Sequence, residues 1–389
     1  MTLPAARLSR LPVYPFAALT QRVRELNAQG FDVINLDIGS PDMPPPEVVV
    51  GSLAESAADP AHHGYAGYKG TPEFRQAVAR HYQQRFGVKL NPETQVLPLM
   101  GSKEGIVNLI LGYIDQGDLV IAPDVGYPAY SMGAYLAGGG VHFVPIPESA
   151  GYQPDLDSIP EAVLKRAKIL WVNYPNNPTG AVVEPAFYDR LIAFCAQHGI
   201  LLASDNPYYD VTYDGYQACS ALQGADALDH VVEFMSFSKT YNMAGWRLGA
   251  AVGSKTAIAT LLNIKSNMDS GHFRAVYDAG ITAIDQTPRS WIEARNAVYA
   301  RRRDRIMEAL PHIGLTAQKP RASLYIWARV LSGTGVQYAE EALTKAHVSV
   351  APGEFYGPGG TQYVRFSLCA TDDRLEQALE RLKTWYASQ

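Results

Sequence analysis

Residues 167–206 read AKILWVNYPNNPTGAVVEPAFYDRLIAFCAQHGILLASDN, with an apolar run at each end and a helical pattern between them. The apolar cores of both runs are continuous instead of alternating, which is typical of strands that are covered on both faces. A strand, a helix and a second strand in this order form a βαβ unit, whose two strands are parallel. This stretch therefore predicts an α/β fold built on a parallel sheet.

The same alternation of apolar runs and helical patterns extends in both directions, from about residue 70 to about residue 270. Strands are predicted at TQVLPLM, DLVIAPD, VHFVPI, AKILWVNYP, GILLASDN, HVVEFMSFS and LGAAVG. The tail adds a long amphipathic helix in TPRSWIEARNAVYARRRDRIMEAL and strand-like runs in ASLYIWARV and YVRFSLCA. We therefore expect an arm and part of a small domain in residues 1–45, a large domain in 46–275 and a small α+β domain in 276–389.

Composition and charge exclude several classes of protein. Hydrophobic residues make up 47% of the 389 residues and charged residues 18%, as in ordinary soluble globular proteins. The net charge of −5 offers no basic excess for a phosphate backbone, which argues against nucleic acid as a partner. No stretch reaches the ~20 apolar residues that a membrane span needs, so no membrane association is expected.

The three cysteines, Cys195, Cys219 and Cys369, are far apart in the sequence. An odd number without a C-x-x-C pair fits neither a disulfide framework nor a structural zinc site. We therefore expect no metal and a reducing compartment. The N-terminus also lacks the unbroken apolar run of a signal peptide, so the sequence predicts a cytoplasmic protein.

Candidate functional residues lie in the loops that follow the predicted parallel strands, where open α/β sheets bind their ligands. The first of these loops, GSKEG at residues 101–105, connects a strand to a helix. Free N–H groups and the dipole of a helix N-terminus can bind an anion, and Ser102 and Lys103 add donors. An ordinary glycine turn with a capping serine is the alternative.

The loop after the strand HVVEFMSFS carries Ser236, Ser238, Lys239 and Arg247. A lysine directly after a buried strand is partly desolvated, so it loses its proton more readily and can act as an imine-forming nucleophile or a base. A snorkelling side chain is the alternative for a single lysine. Here the two serines and the arginine place further anion-binding groups around Lys239.

Three further loops place polar or aromatic side chains at strand ends. Asp205 closes the strand GILLAS, and burying its charge costs free energy unless it meets a cation such as a protonated ring nitrogen. Asn177 and its neighbour Asn176 need hydrogen-bond partners, and Tyr127 can stack on a flat ligand. A helix cap, an Asx-turn and packed tyrosines are the respective alternatives.

Together these groups describe one ligand with a phosphate, a flat ring, a basic ring nitrogen and an electrophilic carbonyl. A phenolate-like oxygen on the ring would be met by Asn177 and Tyr208. Pyridoxal phosphate has all of these features, and its partners in proteins are a Schiff-base lysine and an acid at the pyridinium nitrogen. The sequence therefore predicts a pyridoxal phosphate site, with Lys239 and Asp205 in these two roles.

Four motifs, in this order, resemble the fingerprint of the class I and II aminotransferases of fold type I. They are NNPTG at residues 176–180, D-x-x-Y at 205–208, S-x-S-K at 236–239 and G-W-R-x-G at 245–249. The resemblance covers nearly the whole chain. It implies a large domain with a mostly parallel seven-stranded sheet between helices, a smaller α+β domain, and transfer of amino groups between amino acids and 2-oxo acids.

The resemblance also implies a role for each candidate residue. Lys239 would hold the cofactor as a Schiff base and then move a proton between the substrate Cα and the cofactor. Asp205 would keep the ring nitrogen protonated, while Tyr208 and Asn177 would bond the ring oxygen. Tyr127 would stack on the ring. The residues implied to hold the phosphate are Gly101, Ser102, Lys103, Ser236, Ser238 and Arg247.

For the substrate, the resemblance implies that Arg365, in YVRFSLCA, grips the α-carboxylate, a task that suits a bidentate fork. Gly39 would make a backbone contact to the same carboxylate. The family forms homodimers with shared active sites. Tyr65 or Tyr68 of one subunit would therefore reach the phosphate bound by the other, and Asn267 would cross the interface.

Within the family, several segments resemble the LL-diaminopimelate aminotransferases, namely RLSRLPVYPF, GSKEGI, PDVGYPAY, NYPNNPTGA and SFSKTYNMAGWRLG. Tyr14 would then line the substrate site of an enzyme that uses LL-2,6-diaminopimelate and 2-oxoglutarate in lysine biosynthesis. The loop YKGTPE at residues 68–73 is shorter than the Y-G-x-E-type loop of the plant and chlamydial forms, whose Glu reads the distal ammonium group. This departure leaves two alternatives open, an aminotransferase of broader donor specificity and a pyridoxal-phosphate C–S β-lyase.

Two other enzyme classes lack their motifs. No predicted strand is followed by G-x-G-x-x-G with an acidic residue ~20 positions later, as a nucleotide-dependent oxidoreductase would require. The G-x-S-x-G turn of many hydrolases is also absent.

Overall fold

The structure is a computed structural model that describes residues 5, 8, 9, 11 and 14–389. Of the segment RLSRLPVYPF, these include Leu8, Ser9, Leu11 and the part from Tyr14 onward, so the rest of that prediction lies outside the described residues. The helices are α1 (Pro15–Ala28), α2 (Glu47–Ala58), α3 (Pro72–Phe86), α4 (Ser102–Tyr113), α5 (Ala129–Ala137), α6 (Glu161–Leu164), α7 (Pro185–His198), α8 (Ala227–His230), α9 (Phe237–Thr240), α10 (Lys255–Lys265), α11 (Arg274–Gln286), α12 (Arg289–Ala309), α13 (Gly335–Lys345) and α14 (Asp372–Ala387). The strands are β1 (Ile34–Asn35), β2 (Val96–Leu99), β3 (Leu119–Pro123), β4 (Gly140–Val144), β5 (Ala167–Asn173), β6 (Leu201–Asp205), β7 (Val231–Ser236), β8 (Gly249–Gly253), β9 (Leu315–Thr316), β10 (Tyr325–Val330), β11 (Val348–Ser349), β12 (Ala351–Pro352) and β13 (Tyr363–Ser367).

Seven strands form the central sheet, in the order β2-β8-β7-β6-β5-β3-β4. Strand β8 is antiparallel to its neighbours β2 and β7, and the other four pairs are parallel. All seven coincide with the apolar runs predicted as strands, so the mostly parallel seven-stranded sheet is confirmed. Every residue of β2 and β8 is buried, which explains why their sequences, VLPL and GAAVG, do not alternate.

Helices cover both faces of this sheet. On one face α4, α5 and α10 pack against side chains such as Ile169 and Trp171 of β5. On the other face α2, α3, α7 and α11 pack against side chains that include Leu170 and Val172 of the same strand. Successive residues of a strand therefore belong to two different cores, as the alternation of side chains across a sheet requires. Each of these buried aliphatic side chains contributes roughly 1.5–3 kcal/mol.

The C-terminal part of the chain forms a four-stranded antiparallel sheet, in the order β12-β13-β10-β9, while β1 pairs with β11 in parallel. Its core is separate from that of the large sheet and includes Ile34 and Leu36 together with residues of α12, α13 and α14. Helix α11 instead packs against α2 and α3. We propose that α11 belongs to the large domain, and the domain limits after residues 45 and 275 are otherwise kept as a prediction.

The parallel strands bring their carboxyl ends to one edge of the central sheet. Five of these ends are at Leu99, Pro123, Asn173, Asp205 and Ser236. The loops singled out from the sequence follow these five strands, so the topology gathers their side chains at this edge. None of the helices in the described part of the chain is long and apolar enough to cross a membrane.

Candidate active site

A cavity of about 440 Å³ lies at the carboxyl edge of the central sheet. Its other side is closed by residues of the four-stranded C-terminal sheet, called the small sheet below. Gly101 precedes its wall residue Ser102 and lies against the Arg247 side chain. The predicted site residues that line the cavity are Tyr14, Gly39, Ser102, Lys103, Tyr127, Asn177, Asp205, Tyr208, Ser236, Ser238, Lys239, Arg247 and Arg365.

One end of the cavity is an anion cup formed by residues 101–103, Ser236, Ser238 and Arg247. Ser102 starts helix α4 directly after β2, so the N-terminus of that helix contributes free N–H groups. A Cβ atom on Gly101 would lie 2.2 Å from Nη2 of Arg247, so glycine is required for the guanidinium to approach. Burial and the nearby Arg247 lower the pKa of Lys103. Positive charge and free N–H groups in one concave place suit a phosphate.

Asp205, the last residue of β6, lies buried at the base of the cavity. Its Oδ2 accepts a hydrogen bond from the Tyr130 hydroxyl at 2.8 Å, and its backbone carbonyl accepts one from Nδ2 of Asn173 at 2.6 Å. Its Oδ1 is buried and has no hydrogen-bond partner among the described residues. Burial raises the pKa of Asp205 to about 7, with Tyr130 opposing the shift and Glu233 adding to it. The free oxygen is thus available to a cationic donor.

Lys239 lies in the short helix α9, directly after β7, and its Nζ donates to the Gly39 carbonyl. Its backbone carbonyl accepts a hydrogen bond from Nη1 of Arg295 at 2.9 Å. The same guanidinium also donates to the carbonyls of Thr240 and Asp210. The backbone of Lys239 is therefore anchored, while its amine reaches into the cavity.

Arg365, in β13, is 4% exposed and forms the opposite wall of the cavity. Its Nη1 donates to Oδ1 of Asn177 at 3.0 Å, and its Nη2 donates to the Asp37 carbonyl. Because each terminal nitrogen carries two hydrogens, the fork retains donors for a carboxylate. Three aromatic rings lie around the guanidinium carbon, with centroids at 3.9 Å for Tyr325, 4.9 Å for Tyr356 and 5.8 Å for Phe16.

Tyr208, Asn177 and Tyr14 complete the wall between the cup and Arg365. The Tyr208 hydroxyl donates to the Tyr325 hydroxyl at 3.2 Å, and burial raises the pKa of Tyr208 well above its usual value. The backbone N–H of Asn177 donates to Oδ1 of Asn173 at 2.7 Å. Nζ of Lys103 lies 4.5 Å from the centroid of the Tyr14 ring, which places Tyr14 near the cup.

Besides Gly101, which lies next to the wall, three predicted site residues do not line the cavity. Tyr65 is 91% exposed and Tyr68 is 50% exposed. Asn267 is also exposed, and its Nδ2 donates to the Asn263 carbonyl at 2.8 Å. Because these side chains are predicted to act across a subunit interface and the structure holds a single chain, their roles stay a prediction.

Several residues that support the site were not identified from the sequence. Tyr130 stands in the segment PDVGYPAY, in which Tyr127 is the tyrosine predicted to be functional. Asn173 lies near the end of the predicted strand AKILWVNYP and is the last residue of β5, a position at which a buried amide could have been suspected. Tyr325 and Arg295 lie far from every motif, and no sequence pattern links them to the site.

The chain belongs to the class I and II aminotransferases, whose family model, "Aminotransferase class I and II", matches residues 32–382. Curated relatives include the LL-diaminopimelate aminotransferases of Dehalococcoides mccartyi and Moorella thermoacetica. They are 44% identical to this chain over 377 and 380 residues, and each alignment covers 97% of both proteins. The family membership predicted from the sequence is thereby confirmed, and the protein is an aminotransferase.

Solved structures with the same fold include two that cover nearly the whole chain. Apo BacF from Bacillus subtilis superimposes with a TM-score of 0.95 at 34% identity and covers 99% of both chains. Aspartate aminotransferase from Thermus thermophilus has a TM-score of 0.92 at 29% identity, covering 99% of this chain and 100% of that one. The predicted fold of this chain is confirmed by these similarities.

Proposed function

We propose that the protein is a pyridoxal-phosphate-dependent aminotransferase that moves an amino group from LL-2,6-diaminopimelate to 2-oxoglutarate, in lysine biosynthesis. The observation that carries the proposal is one cavity that joins an anion cup, a buried carboxylate with a free oxygen, a lysine amine and an arginine fork. The two relatives of that name, at 44% identity over 97% of the chain, support the choice of amino donor.

The cavity fits pyridoxal phosphate on two observations. The buried Oδ1 of Asp205 has no partner among the described residues, and a protonated ring nitrogen would supply one. The cup has no room for a Cβ atom at Gly101, and it combines helix N–H groups with Lys103 and Arg247 as a phosphate requires. Tyr127 offers an aromatic face between these two places.

When bound, pyridoxal phosphate supplies an electrophilic carbonyl and a ring that stabilises negative charge developing on the substrate Cα. The chain supplies the groups that hold and move protons. An ionised Asp205 beside the ring nitrogen keeps that nitrogen protonated. The Lys239 amine, anchored through its backbone by Arg295, would take the proton from the substrate Cα and deliver it to the cofactor.

The substrate carboxylate is held by Arg365. Its planar guanidinium gives two parallel hydrogen bonds, and the surrounding rings of Tyr325, Tyr356 and Phe16 exclude water and strengthen them. Asn177 bonds the fork and keeps its orientation. Tyr14, which lines the same cavity, is placed to meet the distal part of the substrate.

A comparison of amino donors at saturating 2-oxoglutarate tests this function. We expect kcat/KM for LL-diaminopimelate to exceed that for alanine, aspartate and phenylalanine by at least about tenfold, the effect of ~1.4 kcal/mol of differential binding. Equal values across the panel would indicate an aminotransferase of broader specificity. Pyruvate release from cystathionine without any 2-oxo acid would indicate a C–S β-lyase.

Lys239→Ala gives the control for the mechanism, because it removes the amine and leaves the cavity otherwise intact. We expect glutamate formation to disappear with every donor. Turnover near the wild-type rate would contradict the assignment of Lys239.

We further propose a homodimer in which residues 63–68 and 267–273 reach across the interface. The two segments are in contact, since the rings of His63 and Phe273 stack at 5.4 Å. They carry several exposed apolar or aromatic side chains, namely Tyr65, Tyr68, Met268 and Phe273. A second copy of the chain would bury them. The cytoplasmic location stays a prediction.

A further inference from the structure

Tyr325 lies where three predicted site residues meet. It starts β10, is 3% exposed and lines the cavity. Its ring contacts the guanidinium of Arg365, and its hydroxyl contacts both the hydroxyl of Tyr208 and the backbone of Gly39. No motif marks this residue, and the mechanism above does not use its hydroxyl.

The ring of Tyr325 fixes the position of the carboxylate-binding fork. The guanidinium carbon of Arg365 lies 3.9 Å from the ring centroid, closer than to the rings of Tyr356 and Phe16. Stacking of a guanidinium on an aromatic face is stronger when both groups are shielded from water. Because Arg365 is 4% exposed, this contact is a desolvated one.

The hydroxyl of Tyr325 accepts the hydrogen bond that Tyr208 donates, at 3.2 Å. The ring centroids of Tyr208 and Tyr325 are 5.7 Å apart and the ring planes are at 80°. This edge-to-face contact keeps the two hydroxyl oxygens within hydrogen-bonding distance. A Cβ atom on Gly39 would lie 1.9 Å from the Tyr325 oxygen, so the hydroxyl occupies the space that glycine leaves. Tyr208 has a single proton, and it can serve one acceptor at a time.

We propose that Tyr325 is a positioning residue with two separable effects: its ring orients Arg365 for the substrate carboxylate, and its hydroxyl competes with the cofactor ring oxygen for the proton of Tyr208. The proposal rests on the proposed function, because it assigns Tyr208 to that ring oxygen. The ionisable groups that face the two hydroxyls are Asp205 and Arg365, with Tyr14 and Tyr127 on the other walls.

Tyr325→Phe and Tyr325→Leu separate the two effects. Phenylalanine keeps the ring and removes the oxygen, so KM for the amino donor should stay within about twofold while the Tyr208 proton is released to the cofactor oxygen. A donor on that oxygen favours the deprotonated form. The pH at which the visible absorption band of the bound cofactor titrates should therefore fall, by at least about 0.3 units.

Leucine removes the ring as well. The buried contact between the ring and the Arg365 guanidinium is then lost, and we expect it to contribute ~1.4 kcal/mol or more to substrate binding. KM for the amino donor should therefore rise by about tenfold or more. Pyridoxal phosphate content should be unchanged in both variants, since Tyr325 is not in the cup. Tyr338→Phe is a matched control, because Tyr338 is buried in the small core and its hydroxyl has no partner among the described residues.

Two results would overturn the proposal. One is a Phe variant whose visible band titrates at the wild-type pH or at a higher pH. The other is a Leu variant with an unchanged KM. A wild-type protein that takes up pyridoxal phosphate without any visible band would instead contradict the proposed function, so the two failures are distinguishable.

Discussion

At the scale of single residues, the candidate site contains buried charged groups that lack part of their hydrogen-bond or charge partners among the described residues. Asp205 has one carboxylate oxygen bonded by Tyr130 and one oxygen with no hydrogen-bond partner among the described residues. Arg365 is buried, and no carboxylate side chain in the described part of the chain bonds its fork. Both arrangements cost free energy in the empty protein and are relieved by a ligand of opposite charge. The protein is therefore less stable without its ligands than a fully paired core would be.

Asp205 should make the stability of the cofactor-free protein depend on pH. Burial raises its pKa to about 7, so the folded state favours the protonated form. This contribution to the free energy of unfolding is complete at low pH and is lost as the pH rises from about 4 to about 7. We expect Asp205→Asn to flatten that part of the curve, as measured by urea unfolding between pH 5 and 8. Parallel curves for the two cofactor-free proteins would contradict the assignment.

Arg365→Lys should raise KM for the amino donor by about tenfold or more, since a point charge cannot replace a planar fork. Cofactor content should remain that of the wild type. The matched control is Arg374→Lys, because Arg374 pairs with Asp32 at the surface, far from the cavity lining. An unchanged KM in Arg365→Lys would move the carboxylate site elsewhere.

The sequence indicates those site residues that follow directly after apolar strands. Asp205, Lys239 and Asn177 stand in such loops, and parallel strands bring the loops together. Tyr325 could not be found in this way. It contacts Tyr208 only because the small sheet closes over the cavity, a long-range packing that local patterns do not encode.

At the scale of elements, the anion cup depends on the β2–α4 turn. Gly101 adopts φ +80°, which disfavours other residues, and its missing side chain leaves space for Arg247. Helix α3 shows the same local rules, with a Thr71 cap, a proline at its first position and Gly87 at its end. The two-residue strands β9, β11 and β12 were not predicted, because they are too short to show a pattern.

Gly101→Ala should weaken pyridoxal phosphate binding, because the new Cβ displaces the Arg247 guanidinium. Gly138→Ala is the matched control, since Gly138 has φ +87° and no atom within 4 Å of an added Cβ. Backbone strain should cost Gly138→Ala roughly 1–2 kcal/mol of stability and Gly101→Ala roughly 1–3 kcal/mol, because Gly101 has ψ 153° whereas Gly138 has ψ 1°. We expect the dissociation constant for the cofactor to rise about tenfold or more in Gly101→Ala alone. Equal cofactor binding in the two variants would contradict the proposal that the anion cup binds the cofactor phosphate.

At the scale of the whole molecule, the cavity lies between the core of the large sheet and the separate core of the C-terminal part. Arg295, in α12, donates a hydrogen bond to the backbone carbonyl of Lys239. The same helix continues into the C-terminal core. The sequence predicted both cores from the change of pattern after about residue 275. The predicted limit after residue 275 placed most of α11 in the small domain, because an amphipathic helix is compatible with either core. Contacts with α2 and α3 decide its position.

The homodimer proposal predicts complementation between two inactive variants. In light scattering, the wild type should have twice the mass of one 42.4 kDa chain. After mixing and subunit exchange, Lys239→Ala and Tyr65→Ala should regain activity, because a hybrid dimer contains one site with both native residues. No recovery, in dimers shown to exchange, would contradict a role of Tyr65 across the interface.

The most direct test of the central claim is the visible absorption spectrum of the purified protein before and after LL-diaminopimelate is added without any 2-oxo acid. We predict a yellow protein whose visible band disappears as the cofactor takes up the amino group, while Lys239→Ala shows no such conversion. A yellow protein that LL-diaminopimelate leaves unchanged, but that alanine or aspartate bleaches, would contradict the proposed amino donor. A protein that binds no pyridoxal phosphate would contradict the whole account.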